Sequence, residues 1–222
     1  MIKLSCIKKS FPDGENKRNE VLCGINLSVE RGEFIAITGA SGSGKTTLLS
    51  ILGTLMMPDS GAYILDNEEI DSSKNVDYAG IRNRKIGFVF QEHRLMPQLD
   101  LLGNILLPTL ALQSKADKVQ KEYAHSLMEM TGIVSLSRHY PAEISGGEAG
   151  RAALCRALIM KPLVLLADEP TGQLDSKNAQ NIVSLLKKIN GELGTTILLV
   201  SHSTETVSAA ERVFTLKNGI LS

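Results

Sequence analysis

The chain carries no net charge: Lys plus Arg and Asp plus Glu stand at 24 each in 222 residues. Without a basic excess there is no long-range field to collect polyanions, which argues against nucleic acid as a partner. Cysteine is scarce. Cys6, Cys23 and Cys155 are odd in number, widely spaced and set among apolar neighbours, with no CxxC pair. That excludes a disulfide framework and reads as reduced thiols in a cytosolic protein. The opening residues, Met1-Ile2-Lys3-Leu4-Ser5, lack the charged-then-apolar layout of a secretory leader, so none is expected. No run of about 18 apolar residues occurs, and no membrane span is expected. The most apolar long stretch, residues 99–112, is broken by Asp100, Asn104 and Pro108. Internal repeats, low-complexity tracts and sustained heptads are missing as well.

What is present suffices for one substantial core, or a core with an attached subdomain: 43% of the residues are hydrophobic and 22% charged. Short continuous apolar runs at residues 34–37, 86–90, 163–167 and 196–200 sit beside glycine-rich or acidic turns. Continuous rather than alternating hydrophobicity marks strands covered on both faces, as in a parallel α/β sheet. Helical stripes lie between them. Ala179, Ile182, Val183, Leu186 and Ile189 follow Asp175-Ser176 as an N-cap, and Ala116, Val119, Tyr123, Leu127 and Met130 form a second stripe. Residues 2–7 and 21–29 read as strands joined by the polar turn Asp13-Gly14-Glu15-Asn16-Lys17. Residues 212–216 and 220–221 read as a hairpin across Asn218-Gly219. The expected architecture is one α/β domain. Residues 1–91 and 159–222 would form the α/β core, and residues 92–158 an inserted helical subdomain.

Gly39-Ala40-Ser41-Gly42-Ser43-Gly44-Lys45-Thr46 fits GxxxxGK[ST], between an apolar strand and the helical run that opens at Thr47. The glycines let backbone N–H groups turn toward phosphate oxygens, and the helix start adds partial positive charge. Lys45 should reach the β- and γ-phosphates of ATP, and the Thr46 hydroxyl should ligate Mg²⁺. A plain Gly/Ser turn is the duller reading, which the strand–loop–helix context outweighs. Further on, the run at 163–167 ends in Asp168-Glu169. An acidic residue at the C-terminal edge of a parallel strand faces the ligand crevice. Asp168 is then a Mg²⁺ partner and Glu169 the group that polarises the attacking water, since phosphoryl transfer needs mainly positioning and charge neutralisation. Two carboxylates capping the Pro170 turn is the structural alternative.

Ile144-Ser145-Gly146-Gly147-Glu148 resembles the signature motif of ABC ATPases, usually Leu-Ser-Gly-Gly-Gln. With it, in the family's order, stand Gln91 as the Q-loop glutamine, Gly172-Gln173-Leu174-Asp175 as the D-loop and His202 as the switch histidine. Phe11 stands where the family stacks an aromatic on adenine. Each residue alone has a blander role: Ser145 a helix cap, Gln91 a surface polar group, His202 a structural histidine, Phe11 a core or loop aromatic. The resemblance spans essentially the whole chain and implies a P-loop NTPase fold of the ABC type. That fold has a mixed sheet, an N-terminal antiparallel β subdomain and an inserted helical subdomain. It implies ATP held by Phe11, residues 39–46 and Thr47, Mg²⁺ held by Thr46, Gln91 and Asp168, and catalysis by Glu169, His202 and Gln91. It also implies a head-to-tail homodimer, in which Ser145, Gly146, Gly147 and Glu148 act on the partner's ATP and Asp175 approaches the partner's cradle.

Glu148 for glutamine, Ile144 for leucine and Ser203 after His202, where aspartate is common, depart from the family pattern. Within the family, residues 87–97 and 140–148 most resemble the lipoprotein-releasing and macrolide-export ATPases, with the cell-division ABC subunit nearby. Gly103 stands where these relatives usually have glutamate. The resemblance implies an integral membrane permease as partner and a peripheral place on the cytoplasmic face of the inner membrane. Leu95, Met96, Leu99, Leu101 and Leu102 read either as a groove for a permease coupling helix or as ordinary subdomain core. A soluble ABC ATPase of nucleic-acid or ribosome processes is the alternative function, and a small-molecule P-loop kinase a third. The first would bring long coiled-coil insertions or two ATPase units per chain. The second has no use for the signature, D-loop and switch histidine.

Overall fold

The computed structural model describes residues 1–14, 17–71, 76–111 and 114–222. Part of the polar turn, Glu15 and Asn16, lies outside them, as does Leu112. Strands β1 (Ile2–Pro12), β2 (Arg18–Val29), β3 (Phe34–Thr38) and helix α1 (Lys45–Leu52) come first, followed by β4 (Ser60–Leu65) and β5 (Glu68–Glu69). Next are α2 (Tyr78–Lys85), β6 (Ile86–Val89), α3 (Leu101–Leu106), α4 (Lys118–Met130) and α5 (Gly146–Leu158). The chain finishes with β7 (Val164–Asp168), α6 (Ser176–Leu193), β8 (Thr196–Val200), α7 (Thr204–Val207), β9 (Arg212–Lys217) and β10 (Ile220–Leu221).

The strands make two sheets. One is antiparallel, in the order β2-β1-β4-β5. The other runs β10-β9-β3-β8-β7-β6, with β9, β3, β8, β7 and β6 mutually parallel and β10 antiparallel to β9. It is a mixed sheet on an α/β core, as expected. Along its strands alternate side chains serve opposite faces. Ala36, Leu165, Ala167, Ile197 and Leu199 pack with α3, α4, α5 and α6, while Ile35, Ile37, Val164, Leu166 and Leu198 pack with α1 and the antiparallel sheet. Both faces are dry, which is why these runs lack a polar period. The segment between β6 and β7 is helical, and it shares the first of these cores rather than closing one of its own.

Local chemistry explains the helix starts. Asp117, Ser145 and Asp175 each accept a backbone N–H in the first turn of α4, α5 and α6. The α6 stripe is buried as expected, whereas Val119 in α4 is 69% exposed. At 3.6 residues per turn Val119 falls to one side of the face formed by Ala124, Leu127 and Met128. The groove reading also changes. Leu101 is 0% exposed and Leu95 and Leu102 pack against the core, so these residues hold α3 in place; Met96 is the exposed one. A charge at Leu101 would therefore disrupt folding rather than docking.

Candidate functional site

Five segments converge at the C-terminal edge of the parallel strands. The loop after β3, the turns after β6, β7 and β8, and Val21 of β2 line one cleft of about 680 Å³. Its walls hold Gly39, Ala40, Ser41, Gly42, Gly44, Lys45, Thr46, Thr47, Gln91, Asp168, Glu169 and His202. A parallel sheet sends every strand's exit to the same edge, so residues far apart in sequence meet there. The volume lies within the range of small-molecule sites.

The loop is shaped by positive φ at Gly42 (77°) and Gly44 (101°). A side chain at Gly39 would lie 2.4 Å from the Leu216 carbonyl oxygen, so only glycine lets the loop pass β9. Gly44 caps α1 with no side-chain partner among the described residues, leaving the helix's first N–H groups toward the cleft. Lys45 is 8% exposed, and its Nζ donates to the carbonyls of Gly39 (2.8 Å) and Ala40 (3.0 Å). A buried ammonium held by neutral carbonyls, beside a helix start, is a strong anion receptor.

Across the cleft, burial pushes the Asp168 carboxyl above its usual range, opposed by a hydrogen bond from Thr46 and the charge of Lys45. Thr46 hydroxyl, Asp168 carboxylate and the Gln91 amide are hard oxygen donors, the set that suits Mg²⁺ shared with phosphates. Among the described residues no cluster of three or more His, Cys, Asp or Glu is placed to hold a metal by itself. The residues thus fit Mg²⁺ carried in with a nucleotide. Glu169 sits in the left-handed region at φ 46°, a strained setting for a non-glycine that aims its side chain back over the cleft. Its Oε1 meets His202 Nδ1 at 2.8 Å, and its Oε2 accepts the His202 backbone N–H at 3.4 Å. Gly172 leaves room for Gln91, whose Nε2 is 3.2 Å from where a Cβ would be.

Two expected nucleotide contacts lie outside this lining. Ser43 faces a neighbouring hollow of about 400 Å³ formed with Thr215, Leu216 and Gly219. Phe11 is half-buried on β1 opposite Asn19, with Lys9 Nζ 5.8 Å from its ring centre. The signature is elsewhere again. Ser145 and Gly146 are exposed at the start of α5 and line none of this cleft. A Cβ on Gly147 would lie 2.6 Å from Asn178 Oδ1, and Asn178 is bound through both its N–H groups to Asp175. Signature and D-loop thus form one surface.

Two of the departures have local explanations. Glu148 accepts from the Ser145 N–H (2.8 Å) and hydroxyl (2.7 Å), a capping box that a carboxylate makes as well as an amide. Ser203 caps α7 by accepting the Thr206 N–H, a task serine and aspartate share. Val21, which lines the cleft, and Arg94, whose charge reaches Asp168, carried no sequence signal.

A glycine-rich phosphate loop, an acidic strand end and a histidine-paired glutamate define the class as a P-loop nucleoside-triphosphate hydrolase. Residues 22–172 match the family model described as ABC transporter. The lipoprotein-releasing system ATP-binding protein LolD of Bordetella avium is 40% identical over 97% of this chain and 93% of its own length. An uncharacterized ABC transporter ATP-binding protein, YknY of Bacillus subtilis, is 41% identical over 99% of this chain and 94% of its own. The macrolide export ATP-binding/permease protein MacB of Chlorobaculum tepidum is 40% identical over all of this chain, which spans 33% of that longer protein. A dimeric ATP-binding cassette in a post-hydrolysis state, bound to ADP and Pi, superposes with a TM-score of 0.90 at 36% identity. That match covers 100% of this chain and 97% of the other. The chain belongs to the ABC transporter family, and it is an ABC-type ATPase.

Proposed function

We propose that two copies of this chain bind ATP head to tail, each completing the other's site, and that the cycle of joining and release drives a membrane permease. The observation that carries this reading is the separation of parts within one chain. Lys45, Asp168, Glu169 and His202 share one cleft, while Ser145 and Gly146 lie exposed on another surface. A helix start with an exposed serine and glycines, pointing away from its own phosphate loop, suits a phosphate offered by a second copy. The dimeric state of the solved relative bound to ADP and Pi supports the same arrangement.

In this scheme the loop amides and Lys45 hold the β- and γ-phosphates. Thr46, Asp168 and Gln91 would hold Mg²⁺, which would neutralise phosphate charge. Glu169 accepts a proton from the water that attacks the γ-phosphorus as the bond to the β-phosphate oxygen breaks, and His202 keeps Glu169 and that water in line. Phe11 stacks on the adenine. Loss of the shared γ-phosphate removes the bond between the copies, so hydrolysis opens the dimer.

The permease reading, with lipoprotein release or macrolide export as the nearest systems, rests on the names of the relatives and on one surface feature. A mainly apolar cleft of about 330 Å³, walled by Phe88, Pro108, Ala111, Ala157 and Met160 together with Arg82, Asn83 and Arg156, lies where α2, β6 and α5 meet. A short helix of a membrane partner, lying at the cytoplasmic face of the inner membrane, fits such a seat. No helix among the described residues is long and apolar enough to cross a membrane; in this scheme the permease carries the contact with the bilayer. Ala111→Arg in the intact complex tests it: transport should fall while ATP binding to the chain persists. Unimpaired transport and assembly would remove the seat.

A further inference from the structure

Two residues beyond Gln91, the chain buries a histidine against the signature helix. His93 is 8% exposed and adopts φ 58°. Its Nδ1 has no partner among the described residues, and the backbone of Gly146 lies within reach of the ring. The imidazole fits because residue 150 is glycine: a Cβ there would lie 3.3 Å from His93 Cε1. A second grip comes from the same helix. Arg156 donates Nη2 to the His93 carbonyl and Nη1 to the Arg94 carbonyl, each at 2.6 Å. Helix α5 therefore holds residues 93 and 94, just beyond Gln91, at two points along its own length, by the ring beside Gly150 and by the Arg156 guanidinium.

We propose that His93 is a positioning residue that fixes the signature turn, Ser145 to Gly147, relative to Gln91 and so to the nucleotide in its own cleft. This rests on the two-copy reading above and deepens it. Gln91 faces the phosphate of its own chain, and Gly146 faces that of the partner. His93 links the two turns, so in this scheme each cleft's occupancy sets the geometry offered to the other. Without the ring, α5 keeps its core packing and its capping box, but its first turn is no longer tied to Gln91.

The test uses the full chain carrying Glu169→Gln, with ATP and Mg²⁺, and follows dimer formation by ultracentrifugation. Adding His93→Ala should raise the ATP concentration at half-dimerisation about tenfold, the size of one buried hydrogen bond. Binding of a fluorescent ADP analogue to the monomer should stay within about twofold, because Lys45 and its loop are untouched. Gly150→Leu, which evicts the ring from the other side, should reproduce the defect. His93→Gln, whose amide nitrogen matches the reach of Nε2, should recover most of it. Unchanged dimerisation in His93→Ala, or parallel losses of dimerisation and monomer binding, would overturn the proposal. A Glu169→Gln parent that stays monomeric would instead overturn the two-copy reading on which it stands.

Discussion

The phosphate-loop half of the site and the signature half are built on opposite plans. In the first, strand exits gather bonded groups in one cleft: buried Lys45 on two carbonyls, Asp168 on Thr46, Glu169 on the exposed His202. In the second, an exposed helix start satisfies itself through Ser145 and Glu148 and meets no group of the cleft. The difference teaches that affinity and chemistry are stored within one chain, whereas completion of the site is left to a surface. Variants in the two halves should therefore fail in different ways.

The sharpest break is expected at Glu169. Glu169→Gln removes the proton acceptor and keeps the shape, so kcat should drop about 1000-fold with ATP binding retained. Turnover like that of the parent would assign the base elsewhere. Lys45→Ala comes next, with ATP affinity falling about 100-fold in equilibrium titration as charge-assisted bonds to phosphate are lost. Ser145→Ala sharpens the contrast from the other half. Monomer nucleotide affinity should hold while the ATP needed for dimerisation rises about tenfold, and removing the N-cap should lower stability by about 1 kcal/mol. A loss of monomer binding as large as that of Lys45→Ala would merge the two halves.

The smallest effect concerns Glu148. The Ser145 N–H and hydroxyl hold its carboxyl below the ordinary range. A depressed folded value means that its contribution is present above the unfolded carboxylate range and lost as pH falls through the folded value. Thermal melts should thus show Glu148→Gln within about 1 kcal/mol of the parent at neutral pH and less sensitive to acid. Equal acid sensitivity in both proteins would show that the carboxylate does not contribute through this cap.

How much of this was legible in the sequence follows physical range. The loop at 39–46, the strand runs and the hairpin at Asn218-Gly219 are local patterns, and the structure forms them there. Strands β4 and β5 escaped notice because residues 60–69 are short, glycine-interrupted and mostly exposed. Helix α2 was hidden because only Gly80 and Ile81 are buried and three basic residues crowd its end. Contacts across the fold were the least readable. The Glu169–His202 pair was reached only through the family pattern, since its partners are 33 residues apart. The fit of His93 into the space left by Gly150 is a match of one absent side chain to one ring, and no periodicity encodes it.

The central claim is that a second copy supplies the missing half of each cleft. Sedimentation of full-length Glu169→Gln at saturating ATP and Mg²⁺ tests it most directly. A species of twice the monomer mass, returning to monomer when ATP is replaced by ADP, is the predicted result. A single-copy species under ATP saturation would contradict it.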